Sequence, residues 1–245
     1  MSDYFCDLHV HSCLSPCGDD DMTPANIAAM AALNGLNIVA LTDHNSAKNC
    51  PAFFAQARKN GIIPVGGMEI TTSEDIHAVC LFRTLEDAMD FDSYVESHLM
   101  NIKNRADIFG HQYIVDEDDT IVGEVENLLI GATDISLSEA FYEAAGRGGV
   151  CYPAHIDRQS NGVIAVLGSF PEEPVFTAYE LNDERSDAVY RERFSGIRNL
   201  VKAVSSDAHY LWDIAERSFS VTLDDEPYSS AFVRNRLIDH FLGVV

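Results

Sequence analysis

The sequence contains few basic residues and no long apolar run. There are 16 Lys and Arg against 39 Asp and Glu, which gives a formal net charge of −23. Because proteins hold long phosphate backbones with clustered Lys and Arg, this balance argues against a surface for long nucleic acid. No apolar stretch approaches the roughly 18 residues that cross a bilayer, and the start, MSDYFCDL, lacks the basic and apolar parts of a signal peptide. We therefore expect a cytoplasmic protein that has no membrane segment.

Cysteines are few, and their spacing is not that of a disulfide framework. The six residues are Cys6, Cys13, Cys17, Cys50, Cys80 and Cys151. They are scattered through apolar segments, and an intracellular chain of this length needs no bridges to stabilise its core. We expect free thiols.

Short β-branched runs alternate with helix signals along the chain. Seven runs predict strands, at residues 4–10, 37–43, 62–70, 76–82, 149–155, 177–181 and 200–207. Most are almost continuously apolar, which is typical of strands buried on both faces of a parallel sheet. Helix signals lie between them, such as Thr23 and Pro24 at a start and Ser136 with Glu139 as a capping box. The alternation predicts an α/β fold, either a closed barrel or an open doubly wound sheet, and we favour the barrel.

Residues 83–135 interrupt this alternation. They contain a long polar helix pattern and two short apolar runs around the acidic turn at 116–119, which predicts a hairpin. We interpret the segment as an insertion over one face of a single domain that covers residues 1–245. Two roles are open for it: a solvated cap, or a lid that selects substrates.

Histidines and carboxylates collect where the predicted strands end. They are His9 and His11 at the first strand, Asp43 and His44 at the second, Glu69 at the third, His155 at the fifth, and Asp207 and His209 at the seventh, while His77 opens the fourth. In a parallel barrel the carboxyl ends of the strands converge on one site. Burying so many titratable groups without a cation would leave polar atoms uncompensated, so the pattern favours a metal centre.

Six segments also resemble a known family. DLHVHS, LTDHN, GGMEI, IHAVCLF, PAHID and SSDAH occur in this order between residues 5 and 210. Together they resemble the PHP domain, named for polymerase and histidinol phosphatase. The resemblance implies a distorted (β/α)7 barrel that holds up to three divalent metals, usually zinc, manganese or iron. It also implies phosphoesterase activity, which most stand-alone members of that family have.

The resemblance assigns ligands to each metal. The first would be held by His9, His11, Glu69 and Asp207; the second by Glu69, His77 and His155, with Glu69 bridging; the third by His44, His209 and an aspartate of the first loop. Counting back from Thr23 favours Asp19 as that aspartate, with Asp20 as the alternative, because the loop reads SPCGDDD where the family commonly has a shorter turn. We expect catalysis to depend on Glu69, Asp207 and His44.

The predicted site would suit a phosphate ester. Three divalent ions and three carboxylates leave a net charge of about +3 in the pocket. A metal-bridging hydroxide would be the nucleophile, since coordination lowers the pKa of water toward ~7. Arg158 is a candidate phosphate clamp, although it could equally be a surface arginine. The low basicity favours a small phosphorylated substrate. The resemblance to small PHP proteins implies that this substrate is a nucleotide, such as a nucleoside 3′,5′-bisphosphate or a short oligoribonucleotide.

Two other functions remain open at this point. An amidohydrolase also begins with HxH on its first strand, but that family commonly bridges its metals with a carboxylated lysine, and Glu69 takes the bridging position here. A noncatalytic metal-binding regulatory module is the second alternative, and the full set of ligands argues against it. The sequence does not indicate the oligomeric state.

Overall fold

The computed structural model describes residues 1–244, so Val245, the last residue of the predicted domain, lies outside the described range. The strands are β1 (Ser2–Val10), β2 (Ile38–Leu41), β3 (Ile63–Thr71), β4 (His77–Phe82), β5 (Tyr113–Val115), β6 (Ile121–Glu124), β7 (Val150–Pro153), β8 (Ala178–Leu181), β9 (Val201–Val204) and β10 (Ser220–Leu223). The helices are α1 (Pro24–Leu33), α2 (Cys50–Lys59), α3 (Leu85–Glu96), α4 (Ala106–Phe109), α5 (Leu137–Gly146), α6 (Val163–Leu167), α7 (Asp187–Arg193) and α8 (Ser230–Phe241). All seven predicted strands are present.

The strands form a curved sheet of six and a separate parallel pair. The order in the larger sheet is β10-β1-β2-β3-β4-β7, and β8 pairs with β9. The pair is joined to both ends of the curve: the Ile156 N–H, after β7, donates to the Glu180 carbonyl in β8 at 2.9 Å, and the His11 N–H, after β1, donates to the Ala208 carbonyl at 3.0 Å. These links close the strands into a distorted barrel, which confirms the predicted α/β fold class.

The expectation of parallel strands is wrong for β4, which runs antiparallel to both β3 and β7. The cause is the short connection from β3: the Thr72 N–H donates to the Ile76 carbonyl at 2.9 Å, and Asp75 takes a left-handed conformation. Such a turn can join only antiparallel strands, because a parallel pair needs a crossover of a dozen or more residues. The reversal places His77, the first residue of β4, opposite Thr71 at the end of β3.

Apolar side chains pack on both faces of the sheet. In β2, Ile38 and Ala40 belong to one buried cluster, whereas Val39 and Leu41 belong to another, as strand alternation requires. Helices α1, α2, α3 and α5 pack on the second cluster, while α8 covers the first. The C-terminal helix is therefore part of the core.

The predicted insertion contains α3, α4 and the β5–β6 hairpin. Helix α3 is less solvated than its polar sequence suggests, because Phe91 and Val95 are buried in the core. The hairpin is fastened by Asn49, whose Nδ2 donates to the Tyr113 carbonyl at 3.1 Å and whose Oδ1 accepts from the Val115 N–H at 3.0 Å. The same Nδ2 donates to Ser12 Oγ at 3.0 Å, so the hairpin is tied to the loop that follows β1.

Two further expectations are that the chain has no membrane segment and that its cysteines are free thiols. Within residues 1–244, no helix has both the length and the apolar character needed to cross a membrane. All six cysteines are free, and Cys17 is the exposed one.

Replacing Leu237 by Ala tests whether α8 is a core element. Leu237 is fully buried in the cluster that α8 covers, so its truncation should leave a cavity and lower the free energy of unfolding by about 2–5 kcal/mol. The matched control is Leu33→Ala at the end of α1, where the side chain is 80% exposed and the change should stay within about 0.5 kcal/mol. Urea denaturation measures both, and equal losses would contradict the assignment.

Candidate metal centre

Six histidines and two carboxylates meet at one end of the barrel, where β1, β2, β3, β7 and β9 end and β4 begins. They are His9, His11, His44, Glu69, His77, His155, Asp207 and His209. All are buried except His209, which is partly exposed. We call this group the histidine cluster. The antiparallel β4 is what brings His77 into it, since the first residue of a reversed strand lies at the end where its neighbours finish.

Glu69 lies at the centre of the histidine cluster. Its Oε1 is 2.7 Å from His77 Nδ1 and 2.9 Å from His155 Nε2, and its Oε2 is 2.9 Å from His44 Nδ1. The Nε2 atoms of His9 and His11 are each 3.4 Å from one of its oxygens. One carboxylate therefore lies within 3.4 Å of five imidazoles, which is the position expected for a bridging ligand.

Asp207 closes the other side of the cluster. Its Oδ1 is 3.1 Å from His11 Nε2 and 3.5 Å from His9 Nε2. Its Oδ2 lies 2.7 Å from Nη1 of Arg158, with which it forms an ion pair. The arginine named as a phosphate clamp is thus held directly against a predicted ligand.

The pKa directions follow from this crowding. Burial raises the pKa of Glu69, but His77, His9 and His44 outweigh it and hold the pKa well below its ordinary value. Burial lowers the pKa of His9, but the carboxylates of Glu180, Asp207 and Glu69 raise it well above the ordinary value. The pKa of His11 is lowered by burial and by the imidazoles of His209 and His44. Glu69 therefore stays ionised at neutral pH.

The residues fit divalent cations. Three sets have ligand atoms within 4.8 Å of one another: His9, His11, Glu69 and Asp207; His44, Glu69 and His77; and His11, His44 and His209. His44 Nδ1 and Asp207 Oδ1 are buried and, despite their short distances to Glu69 and His11, lack hydrogen-bond geometry; an unsatisfied buried polar atom costs about 1–3 kcal/mol. Two imidazole Nε2 atoms, on His9 and His11, lie 3.1 Å apart. Mixed nitrogen and oxygen ligands of this kind suit Zn²⁺, Mn²⁺ or Fe²⁺.

Several predicted ligands are arranged differently from the expectation. His44 joins Glu69 and His77 in a compact set, where His155 was expected, although His155 Nε2 contacts Glu69 directly. The Asp19 carboxylate belongs to none of the compact sets among the described residues: its Oδ1 accepts from the Asp21 N–H at 2.9 Å. The Asp19 N–H donates to the His209 carbonyl at 2.9 Å, so Asp19 lies beside the cluster through its backbone. The alternative, Asp20, is exposed.

The backbone is unusual at two of these positions. His155 and Asp207 have φ angles of 27° and 55°, in the left-handed region that non-glycine residues rarely adopt. Asn45, next to His44, has a φ of 48°. Such conformations cost of order 1–3 kcal/mol each and cluster at functional sites. At both strand ends the conformation breaks the strand alternation and accompanies a side chain that enters the cluster.

Glu180 is a site residue that sequence reasoning missed. It is fully buried in β8, its Oε1 is 2.8 Å from His9 Nδ1, and the same oxygen accepts from the His155 N–H at 3.1 Å. A carboxylate on the second ring nitrogen fixes the orientation and tautomer of a ligand histidine. The sequence does contain a sign of this role: in the predicted strand TAYEL, a charged residue interrupts an otherwise largely apolar run.

Asp43 acts on the ligands through a serine. Ser15 Oγ is 2.9 Å from His11 Nδ1, donates to Asp43 Oδ1 at 2.7 Å and accepts from the His44 N–H at 3.1 Å. Ser12 binds the same carboxylate through its N–H and its hydroxyl. Asp43 therefore reaches the ligand histidine His11 only through Ser15.

Replacing Glu180 by Gln should weaken metal binding while the fold is retained. The amide has the size of the carboxylate but lacks its charge, so His9 keeps only a neutral and weaker acceptor, and such changes typically cost about 10–100-fold in affinity. Calorimetric titration with Mn²⁺ or Zn²⁺ measures the dissociation constant. Glu117→Gln, at an exposed position in the insertion, is the control and should bind as the wild type does. Equal affinity in both variants would contradict the role given to Glu180.

Known proteins share this architecture. The structure is similar to the novel lesion-specific endonuclease PfuEndoQ from Pyrococcus furiosus, with a TM-score of 0.66 and 17% identity, over 100% of this chain and 57% of that one. It is also similar to a protein from Bifidobacterium adolescentis assigned as a metal-dependent phosphoesterase, with a TM-score of 0.54 and 18% identity, over 83% of this chain and 87% of that one. At these identities the likeness is one of fold.

Sequence comparison gives the family. An error-prone DNA polymerase from Symbiobacterium thermophilum is 38% identical over 77 residues, which are 31% of this chain and only 7% of the polymerase. The chain thus spans a small part of that relative. The PHP domain family model matches residues 7–220, which include every member of the histidine cluster. The chain belongs to the PHP domain family.

Proposed function

We propose that the protein is a metal-dependent phosphoesterase that hydrolyses a small phosphate ester, with nucleoside 3′,5′-bisphosphates and short oligoribonucleotides as the candidate substrates. The observation that carries this proposal is the bridging position of Glu69 among five imidazoles, with Asp207 and Arg158 beside it. Divalent cations bound in such a set supply positive charge for phosphoryl oxygens and activate a water molecule as nucleophile. The chain supplies the ligands, their orientation and a further donor for the phosphate.

The ligand side chains are held in place before substrate arrives. Glu180 orients His9, and Ser15 with Asp43 orients His11 and the backbone at His44. Preorganised groups of this kind lower the reorganisation needed during the reaction. The fixed geometry supports catalysis at the cluster more than a role in stability alone.

Arg158 supports a phosphate substrate. Its side chain is 45% exposed although Nη1 is bound to Asp207, so other N–H groups of the planar guanidinium stay accessible. An arginine fork matches the oxygens of a phosphate group. We therefore assign Arg158 to the substrate phosphate rather than to the general surface.

Charge supports a small substrate over a long polymer. The chain has 39 acidic and 16 basic residues, so an extended phosphate backbone would meet repulsion over most of the surface. Because the structure is similar to a lesion-specific endonuclease, nucleic acid is the competing substrate. It should be tested in the same assay as the small phosphate esters.

An amidohydrolase mechanism has less support. Glu69 occupies the bridging position that a carboxylated lysine would take, and Lys202, the lysine on β9, binds Glu184 at 2.7 Å instead of entering the cluster. Hydrolysis of amides without hydrolysis of phosphate esters would reverse this preference.

Replacing Glu69 by Gln should abolish activity with the fold retained. The metal-loaded wild type should release phosphate from an aryl phosphate and from a nucleoside 3′,5′-bisphosphate, and Glu69→Gln should lower kcat/KM by about 100-fold or more, because the bridging charge is lost. Phosphate release measures activity, and circular dichroism measures folding. Glu117→Gln is the control. A wild type that binds metal but hydrolyses no ester would instead support a noncatalytic metal-binding module.

Replacing Arg158 by Ala should weaken substrate binding. A hydrogen bond to a charged group is worth about 1.5–3 kcal/mol, so kcat/KM for phosphate esters should fall by about 10–100-fold. The control is Arg185→Ala, whose side chain is 91% exposed and pairs with Asp183. Steady-state kinetics on both variants checks this, and a loss confined to metal affinity would show that Arg158 acts only on Asp207.

A further inference from the structure

An exposed pair of stacked aromatic rings follows the last ligands of the histidine cluster. Trp212, the single tryptophan of the chain, is 76% exposed. Its ring is stacked on that of Tyr210, with centroids 4.9 Å apart and planes inclined by 14°. We call this pair the aromatic platform.

The aromatic platform belongs to the rim of the site. Tyr210 directly follows His209, and Trp212 lies three residues beyond it, so its Cα is at most about 11 Å from that of His209. His209 itself is only partly buried and stacks on His11 at 4.2 Å. The platform is thus within the reach of a ligand whose other end lies in the cluster.

The packing of this segment does not depend on the side chain of Trp212. The neighbouring side chains anchor this segment: Ile214 is buried and Leu211 packs against the core. The Ile214 carbonyl also accepts from Asn34 Nδ2 at 2.9 Å. Since these contacts fix the segment without the indole, the exposed aromatic pair is available for contact with a ligand.

The charges nearby favour a neutral planar group. Residues 205–214 contain no Lys or Arg, and the acidic loop at 19–21 is bound to this segment through the Asp19 N–H and the His209 carbonyl. A second phosphate would find no basic side chain within this segment to bind it. A nucleobase needs none, and every base has a face that stacks on an aromatic ring.

We propose that Tyr210 and Trp212 bind the nucleobase of the substrate by stacking, while its phosphate lies at the histidine cluster. The proposal rests on the proposed phosphoesterase function and names the residues that would hold the base of its nucleotide substrate. Trp212 would then determine the preference for nucleotides over phosphate esters that have no base, and the histidine cluster would contact only the phosphate.

Tryptophan fluorescence tests the platform through binding, with a readout that does not depend on turnover. Because Trp212 is the only tryptophan, its emission reports on this position alone. Adenosine and adenosine monophosphate should quench it saturably in the zinc-loaded wild type, whereas ribose 5-phosphate and inorganic phosphate should not. Quenching by the sugar phosphate and phosphate as strongly as by adenosine would overturn the proposal, and so would no quenching by adenosine.

Kinetics supplies the second test. The selectivity is the ratio of kcat/KM for a nucleotide to kcat/KM for glycerol phosphate, and it should fall about tenfold in Trp212→Ala, mostly through KM for the nucleotide. Trp212→Phe should retain most of it, because the stacking face remains. Tyr142→Ala, another exposed aromatic position at 60% exposure, is the control and should keep the wild-type ratio.

The outcomes separate the two proposals. An unchanged ratio in Trp212→Ala, in an enzyme that hydrolyses nucleotides, would refute the platform and leave the phosphoesterase function standing. Saturable quenching by adenosine in a protein that hydrolyses no phosphate ester would support the platform and refute the function.

Discussion

The buried charge of Glu69 is the constraint on which this end of the molecule depends. A carboxylate with no exposure to water is unstable unless positive charge and donors surround it. Here those partners come from β1, β2, β4 and β7, so segments far apart in sequence must converge on one side chain. The fold and the site are therefore coupled: the barrel brings the imidazoles together, and the imidazoles make the central carboxylate tolerable. A cation that replaces protons in this cluster would satisfy the same requirement.

The way the chain meets this constraint explains its irregular features. The tight turn at Thr72–Ile76 reverses β4, so that His77, the first residue of this strand, lies in the site. In a parallel strand, the last residue would lie there instead. At His155 and Asp207 the backbone is left-handed. These side chains, at the ends of strands, therefore enter the cluster without following the alternation of side chains between the two faces of a strand. Behind them, Glu180 and Ser15 fix ring orientations. Strain and buried polar contacts are thus concentrated where the ligands converge.

Much of this could be predicted from sequence, and the rest could not for physical reasons. The seven strands have strong apolar patterns, and the histidines stand at their ends, so the fold class and the members of the cluster were accessible. The direction of β4 was not, because an apolar run reads the same in either orientation. Glu180 was overlooked because a single acid in a strand has no visible partner in the sequence. The grouping of His44 with His77, and the backbone contact of Asp19, depend on side-chain and loop geometry that spacing does not encode.

The hydrogen bonds of Asn49 have a consequence for movement of the insertion. This buried amide joins the hairpin at Tyr113 and Val115 to Ser12, one residue after His11. Swinging the hairpin outward would break the two bonds at Tyr113 and Val115, while the bond to Ser12 would remain. The hairpin is therefore anchored beside the loop that carries Ser12, and a movement of this part of the insertion would have a cost in hydrogen bonds.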